Sequence, residues 1–189
     1  MKIILASQSP RRKELLGHIV AHFEQQSADI DESVLPDELP QAYVERLAQQ
    51  KAAAIFNKIV SPQNTVVIGS DTTVVKDGRI MGKPEDLADC QSMLMSLSGT
   101  THQVLTAFSV ITKAKTVTKT VITDVEFVTL NESKINKYWQ TNEPQDKAGA
   151  YAIQGIGGKF VKSINGSVSA VIGLPMAELE AVLEELDVL

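Results

Sequence analysis

Two short apolar runs, residues 2–7 and 65–68, constrain the fold of this chain more than any other feature. Each is too short for a helix and apolar at consecutive positions, the pattern of a strand buried on both faces, which helices must then cover. The first leads into Ser9-Pro10, a helix N-cap followed by proline at the first helical position, with Gly17 to stop the helix. Strand, tight turn and helix in that order predict an α/β fold. An acidic, proline-bearing loop over 29–40 precedes a helix over 41–57 with Val44, Leu47, Ala48 and Ile55 on one face. The second run leads into Gly69-Ser70-Asp71, which places Asp71 near a strand end, and residues 72–75 pair with 79–81 through a Lys-Asp-Gly turn. Pro84 starts a helix that ends near Gly99. Residues 103–112 and 116–128 read as long antiparallel strands, the second on the alternation of Val117, Val121, Val125 and Phe127. Asn131 caps a short helix through Trp139, residues 155–158 are glycine-rich, Asn165-Gly166 is a turn, and the helix after Pro175 carries Leu179, Val182, Leu183 and Leu186. No repeat or linker interrupts the chain, so one mixed α/β domain over 1–189 is expected.

At 189 residues the chain can bury a sizeable core without disulfide staples. Its one cysteine, Cys90, sits in an apolar helical pattern with Leu87, Leu94 and Leu97, which predicts a packing role and a reducing compartment. The N-terminal run lacks a cleavable small-residue site and does not read as a signal peptide, and no apolar stretch is long enough to span a bilayer. A net charge of −5 argues against a nucleic-acid coat protein, which needs a basic face. The expectation is a cytoplasmic protein with neither nucleic acid nor membrane as partner. An anionic ligand must then be met by local groups.

Three places look able to do so. Ser7, Ser9, Arg11, Arg12 and Lys13 crowd hydroxyls and cations around one helix N-terminus, where cations oppose the helix dipole by roughly 0.3–1 kcal/mol each. A bound phosphate would resolve that conflict; otherwise the basic residues are simply solvated. Lys51 falls inside the apolar stripe of its helix, whereas Arg46 falls on the opposite face, so Lys51 either snorkels to water or reaches a phosphate or carboxylate in a cleft. Asp71 follows Val-Val-Ile-Gly, where Gly69 permits close approach, and Asp31 and Glu32 supply further carboxylates. Carboxylates holding Mg²⁺ or Mn²⁺ are what phosphoanhydride cleavage requires, to neutralise phosphate charge and orient water. Lys83, before Pro84, is a further cation for a triphosphate. His18, His22 and His102 form no zinc pattern with Cys90, because Gly17 interrupts the helix that would align the first two. The glycine-rich segment lacks the Lys-Ser/Thr ending of a phosphate-binding P-loop, and no nucleophile-elbow sequence is present.

These residues fall in motifs that together resemble the Maf family of nucleotide pyrophosphatases over nearly the whole chain: Ala6-Ser-Gln-Ser-Pro-Arg-Arg12, Arg46-Leu-Ala with Lys51-Ala52, Gly69-Ser-Asp-Thr72, Gly82-Lys-Pro84, Thr101-His-Gln-Val104, Asp146-Lys-Ala-Gly-Ala-Tyr151 with Ile153-Gln-Gly155, and Ile164-Asn-Gly166 with Gly173-Leu-Pro175. The resemblance implies an elongated mixed sheet with flanking helices, in two lobes around a nucleotide cleft, the fold shared with ITPase-like proteins. It implies hydrolysis between the α and β phosphates of a nucleoside triphosphate with a divalent cation, in a homodimer. Carried over by motif, Asp71 is the proton acceptor and Glu32, with Asp31 as a neighbouring candidate, helps to hold the metal; the division of roles between Asp71 and Glu32 stays open. Arg11, Arg12, Lys51 and Lys83 would grip the triphosphate, with Ser7 and Ser9 supplying hydrogen bonds. The chain resembles the branch acting on dTTP and UTP through Arg11, Thr72 and Gln154, and a glutamine amide both donates to and accepts from a pyrimidine edge. The alternatives are the same reaction on 7-methyl-GTP or a noncanonical purine such as inosine triphosphate, and a nucleotide-responsive regulator of septum formation.

Overall fold

The computed structural model describes residues 1–189. In chain order its regular elements are β1 (Lys2–Ala6), α1 (Pro10–Gly17), β2 (Glu24–Gln26), α2 (Pro40–Phe56), β3 (Thr65–Lys76), β4 (Arg79–Met81), α3 (Leu87–Leu97), β5 (Thr101–Ile111), β6 (Thr116–Phe127), α4 (Glu132–Trp139), β7 (Val161–Asn165), α5 (Val168–Ile172) and α6 (Met176–Glu185). The fold is mixed α/β. The strands form one seven-stranded sheet in the order β2-β1-β3-β5-β6-β7, with β4 also on β3. β1 runs parallel to β2 and to β3, with Leu5 opposite Ile68, and this pairing suits its unbroken apolar sequence, buried from Ile3 to Ala6. The hairpin partner β4 lies antiparallel to β3, and β7 antiparallel to β6.

Local chemistry fixes the helix starts. The Ser9 hydroxyl accepts from the Arg12 amide at 3.4 Å ahead of Pro10 in α1, and the Asn131 side chain accepts from the Lys134 amide at 2.9 Å in α4. The helix expected to begin at Pro84 begins instead at Leu87. Asp86 is its cap, accepting from the Asp89 amide at 2.8 Å, while Pro84 is buried in the turn before it. Leu87, in the first turn, is correspondingly more than a third exposed. Nor does Asp71 end a strand: β3 runs on through it to Lys76. What ends there is the parallel ladder, because β1 stops at Ala6, so Asp71 lies just beyond the carboxyl end of its neighbour.

The chain forms two compact units. The first comprises residues 1–71, 106–121 and 173–189, the second residues 72–105 and 122–172. In the first, Ile4, Ala6 and Val67 of the sheet pack with Ala52 and Ile55 of α2. The second has an aromatic core in which Phe127, Tyr138, Tyr151 and Phe160 meet Leu94 and Leu97 of α3, and Cys90 is fully buried among them. No helix is long and apolar enough to cross a membrane.

Candidate active site

Lys51 is where helical periodicity put it, on the buried face of α2 with Val44, Leu47, Ala48 and Ile55. Its ammonium meets two carboxylates. Nζ lies 2.6 Å from Asp71 Oδ1 and 2.7 Å from Glu32 Oε1, and the side chains of Lys51 and Asp71 are each no more than a tenth exposed. Gly69 makes this possible. A Cβ at that position would run into the Ala48 carbonyl oxygen and stand 2.7 Å from the Ala52 amide nitrogen, so α2 rests on β3 backbone to backbone, two residues before Asp71. Burial raises the Asp71 pKa above the ordinary carboxylate range; the Lys51 and Arg12 charges pull it down and the Glu32 charge adds to the rise. Of the adjacent candidates it is Glu32, half exposed, that reaches Lys51, while Asp31 turns back to Ser33.

The helix N-terminus built by Ser9 and Pro10 contributes Arg12 to the same unit. Its Nε donates to the Gly173 carbonyl at 2.9 Å, and its Nη1 lies 3.5 Å from Ser7 Oγ, which also accepts from the Ser9 amide at 3.2 Å. Burial lowers the Arg12 pKa while the nearby Asp71 and Glu32 charges oppose that shift. Arg11, one residue earlier, is partly exposed. Two cations and two carboxylates thus meet beside a helix N-terminus, with more positive charge available from Arg11. Glu32 and Asp71 are the residues that could hold a divalent cation, since their oxygens already converge on one positive charge and hard dications prefer such donors. No three or more His, Cys, Asp or Glu side chains group around one point, so a cation here would complete its shell with water or phosphate oxygens.

The sequence matches the Maf-like protein family over residues 2–186. The chain belongs to the Maf family. Among curated relatives, a dTTP/UTP pyrophosphatase of Pseudoalteromonas atlantica is 51% identical over 97% of this chain and 96% of its own length. One of Aliivibrio fischeri with the same name is 50% identical over 97% of each. Of solved structures, the Ham1 protein of Staphylococcus aureus is 16% identical and superposes with a TM-score of 0.48 over 67% of this chain and 72% of that one.

Three further candidate residues, Thr72, Lys83 and Gln154, belong to the second unit. Thr72 follows Asp71 directly on β3 and is partly exposed, Lys83 is exposed after β4, and Gln154 is exposed ahead of the glycine-rich turn. That turn is held by Glu143, whose carboxylate accepts from the Ile156 amide at 2.8 Å, the Gly157 amide at 2.9 Å and the Tyr138 hydroxyl at 2.8 Å. Burial alone would raise the Glu143 pKa, but these three donors hold it below the ordinary range. Three further residues, all in the first unit, escaped sequence reasoning. Ser70, fully buried, lies 2.9 Å from the Ala107 carbonyl and 3.1 Å from that of Gly173, the oxygen that also receives Arg12. Tyr43 donates to the Glu32 carbonyl at 3.0 Å, and burial followed by the Asp71 and Glu32 charges raises its pKa to about 12. Glu38 binds Arg46, which the sequence placed opposite Lys51 and in a Maf motif without a role. The one advance signal was Ser70 itself, a polar side chain close after the apolar run Val66-Val67-Ile68.

Proposed function

We propose that this Maf protein is a nucleoside triphosphate pyrophosphatase that hydrolyses dTTP and UTP to the nucleoside monophosphate and pyrophosphate. The observation that carries this reading is the match, at about half identity and over 97% of the chain, to relatives bearing that name. The charged cluster supports it chemically. Asp71 is the general base that receives a proton from the attacking water: burial strengthens its hold on a proton, while the cations beside it act against that rise. Water oxygen bonds to the α phosphorus, the α–β bridging bond breaks, and pyrophosphate leaves with the bonding pair. Lys51 keeps the two carboxylates together and, with Arg11, Arg12 and Lys83, meets the charge of the triphosphate, while Ser7 and Ser9 order the turn beneath it. Glu32 and Asp71 would hold Mg²⁺ or Mn²⁺, which when bound neutralises phosphate charge. Arg11, Thr72 and Gln154 select the pyrimidine. A cytoplasmic homodimer belongs to the same proposal.

The test is a panel of dTTP, UTP, the other common triphosphates, 7-methyl-GTP and inosine triphosphate, with Mg²⁺ or Mn²⁺ and with products identified. The expected result is pyrophosphate and monophosphate, with the highest kcat/KM for dTTP and UTP. Orthophosphate as product, or no turnover of any triphosphate, refutes the reaction; preference for 7-methyl-GTP or inosine triphosphate refutes the assigned substrate.

A further inference from the structure

Glu32 stands in a segment with no regular structure, residues 27–39, most of whose side chains are exposed. A carboxylate on such a segment has many places to go, yet Glu32 reaches the buried Lys51 ammonium. The means lie one turn apart on α2. The Arg46 guanidinium grips Glu38 through two nitrogens, Nε to Oε1 at 2.6 Å and Nη2 to Oε2 at 2.7 Å, and Nη2 also donates to the Ser33 carbonyl at 2.9 Å. Glu38 in turn accepts from the Leu35 amide at 3.0 Å, and its side chain is 7% exposed despite belonging to the loop. Tyr43, whose ring lies 5.6 Å from the same guanidinium, holds the Glu32 carbonyl. The loop is therefore tied to α2 at Glu32, at the next residue and at Glu38. A forked, planar cation is the side chain that can hold a carboxylate at two points and a carbonyl at once.

We propose that Arg46, through Glu38 and Ser33, is a positioning residue that fixes the Glu32 carboxylate where a divalent cation is to be held. This rests on the reading of Glu32 as a metal ligand given above, and the test separates the two. Mn²⁺ binding to the full chain without nucleotide is followed by the loss of the free-ion electron paramagnetic resonance signal, for the unaltered protein, Glu32→Gln, Arg46→Met, Arg46→Lys, Glu38→Gln and the Glu32→Gln, Arg46→Met double variant. Partners that orient a metal ligand typically carry about 10- to 100-fold in affinity. Arg46→Met should therefore weaken Mn²⁺ binding about tenfold, with Arg46→Lys in between because an ammonium cannot span both Glu38 oxygens and the Ser33 carbonyl. Glu38→Gln, which breaks the grip from the loop side and leaves α2 untouched, should weaken binding as well. In turnover, Arg46→Met should raise the Mn²⁺ concentration for half-maximal rate by a similar factor, with kcat largely restored at saturating Mn²⁺. In the Glu32→Gln background the Arg46 change should add less than about twofold, since residues acting through one ligand are not additive. If Glu32→Gln weakens Mn²⁺ binding and Arg46→Met does not, the positioning role is wrong and the metal reading survives. If the two losses simply add, Arg46 acts elsewhere and the proposal falls. If Glu32→Gln leaves Mn²⁺ binding unchanged, the metal reading of Glu32 falls first and takes this inference with it.

Discussion

Each unit buries a polar cluster, and the two are built on opposite terms. In the first, Lys51 and Asp71 are charged groups withdrawn from water beside a partly exposed Arg12, with burial pushing Asp71 up and Arg12 down against their mutual attraction. In the second, His102 and Tyr151 are buried among Phe127 and Phe160, joined by a 2.8 Å hydrogen bond and by edge-on ring contacts 4.8–5.5 Å between centroids. The His102 pKa falls to about 4, chiefly by burial and then by the Lys76 charge, so the ring is neutral. Its Nδ1 has no partner; a proton on Nε2, donated to the Tyr151 hydroxyl, leaves only a bare acceptor there. The neutral cluster is held by ring packing and one hydrogen bond. Charged groups held close together and partly out of water are what shifts pKa values at functional sites.

Removing charge from the first cluster therefore breaks the contrast most sharply. Asp71→Asn should cut kcat by about 10²- to 10⁴-fold with the fold intact by circular dichroism, the range typical of a lost general base; a kcat within twofold of the unaltered protein would put Asp71 on the same footing as His102. Lys51→Met comes next. Loss of the cation should lower kcat/KM at pH 7 by roughly a hundredfold, as for other preorganised charge-stabilising groups, and move the acid limb of the pH–rate profile upward. The direction follows because Lys51 is the largest influence holding the Asp71 pKa down against burial. An unmoved acid limb would assign that limb to another group.

The smallest effect on activity belongs to the neutral cluster. With a folded pKa of about 4 against an ordinary 6.5, His102 takes up its proton in the unfolded chain first, so stability falls as pH drops from 6.5 towards 4 and does not change further on its account below that. That gap is worth roughly 3 kcal/mol at full extent. Urea unfolding at pH 7 and pH 5 should show a loss that His102→Gln abolishes, while kcat at pH 7 stays within about twofold. A large activity loss in His102→Gln would mean that the second cluster is not merely structural.

How far the sequence revealed these clusters depended on whether a residue sat on a regular element. Lys51 was visible because 100° per residue placed a charge inside an apolar stripe, and Asp71 because an acid followed a buried strand and a glycine. Ser9 and Asn131 were legible as caps. The continuation of β3 through Asp71 was hidden because Gly69 and Ser70 look like an interruption, when in fact the glycine accommodates α2 and the serine is bonded to two carbonyls. β2 escaped because Glu24-Gln25-Gln26 is polar and exposed throughout, paired with β1 at one edge of the sheet. The Arg46–Glu38 grip escaped for another reason. Glu38 precedes the helix, in a loop with no periodicity, and a pair eight residues apart matches no local rule.

The carbonyl of Gly173 carries a consequence in time. It receives Arg12 from 161 positions earlier in the chain, and the unit that contains both is assembled from three separate stretches, the last of them residues 173–189. Contacts so distant in sequence cannot form early, because the chain between them must first be gathered in. A ribosome making this protein thus emits Arg12 161 residues ahead of its acceptor. Until Gly173 has emerged the polypeptide carries Arg12 without the carbonyl that fixes it, so the arrangement of this guanidinium is completed only after 161 further residues have been made.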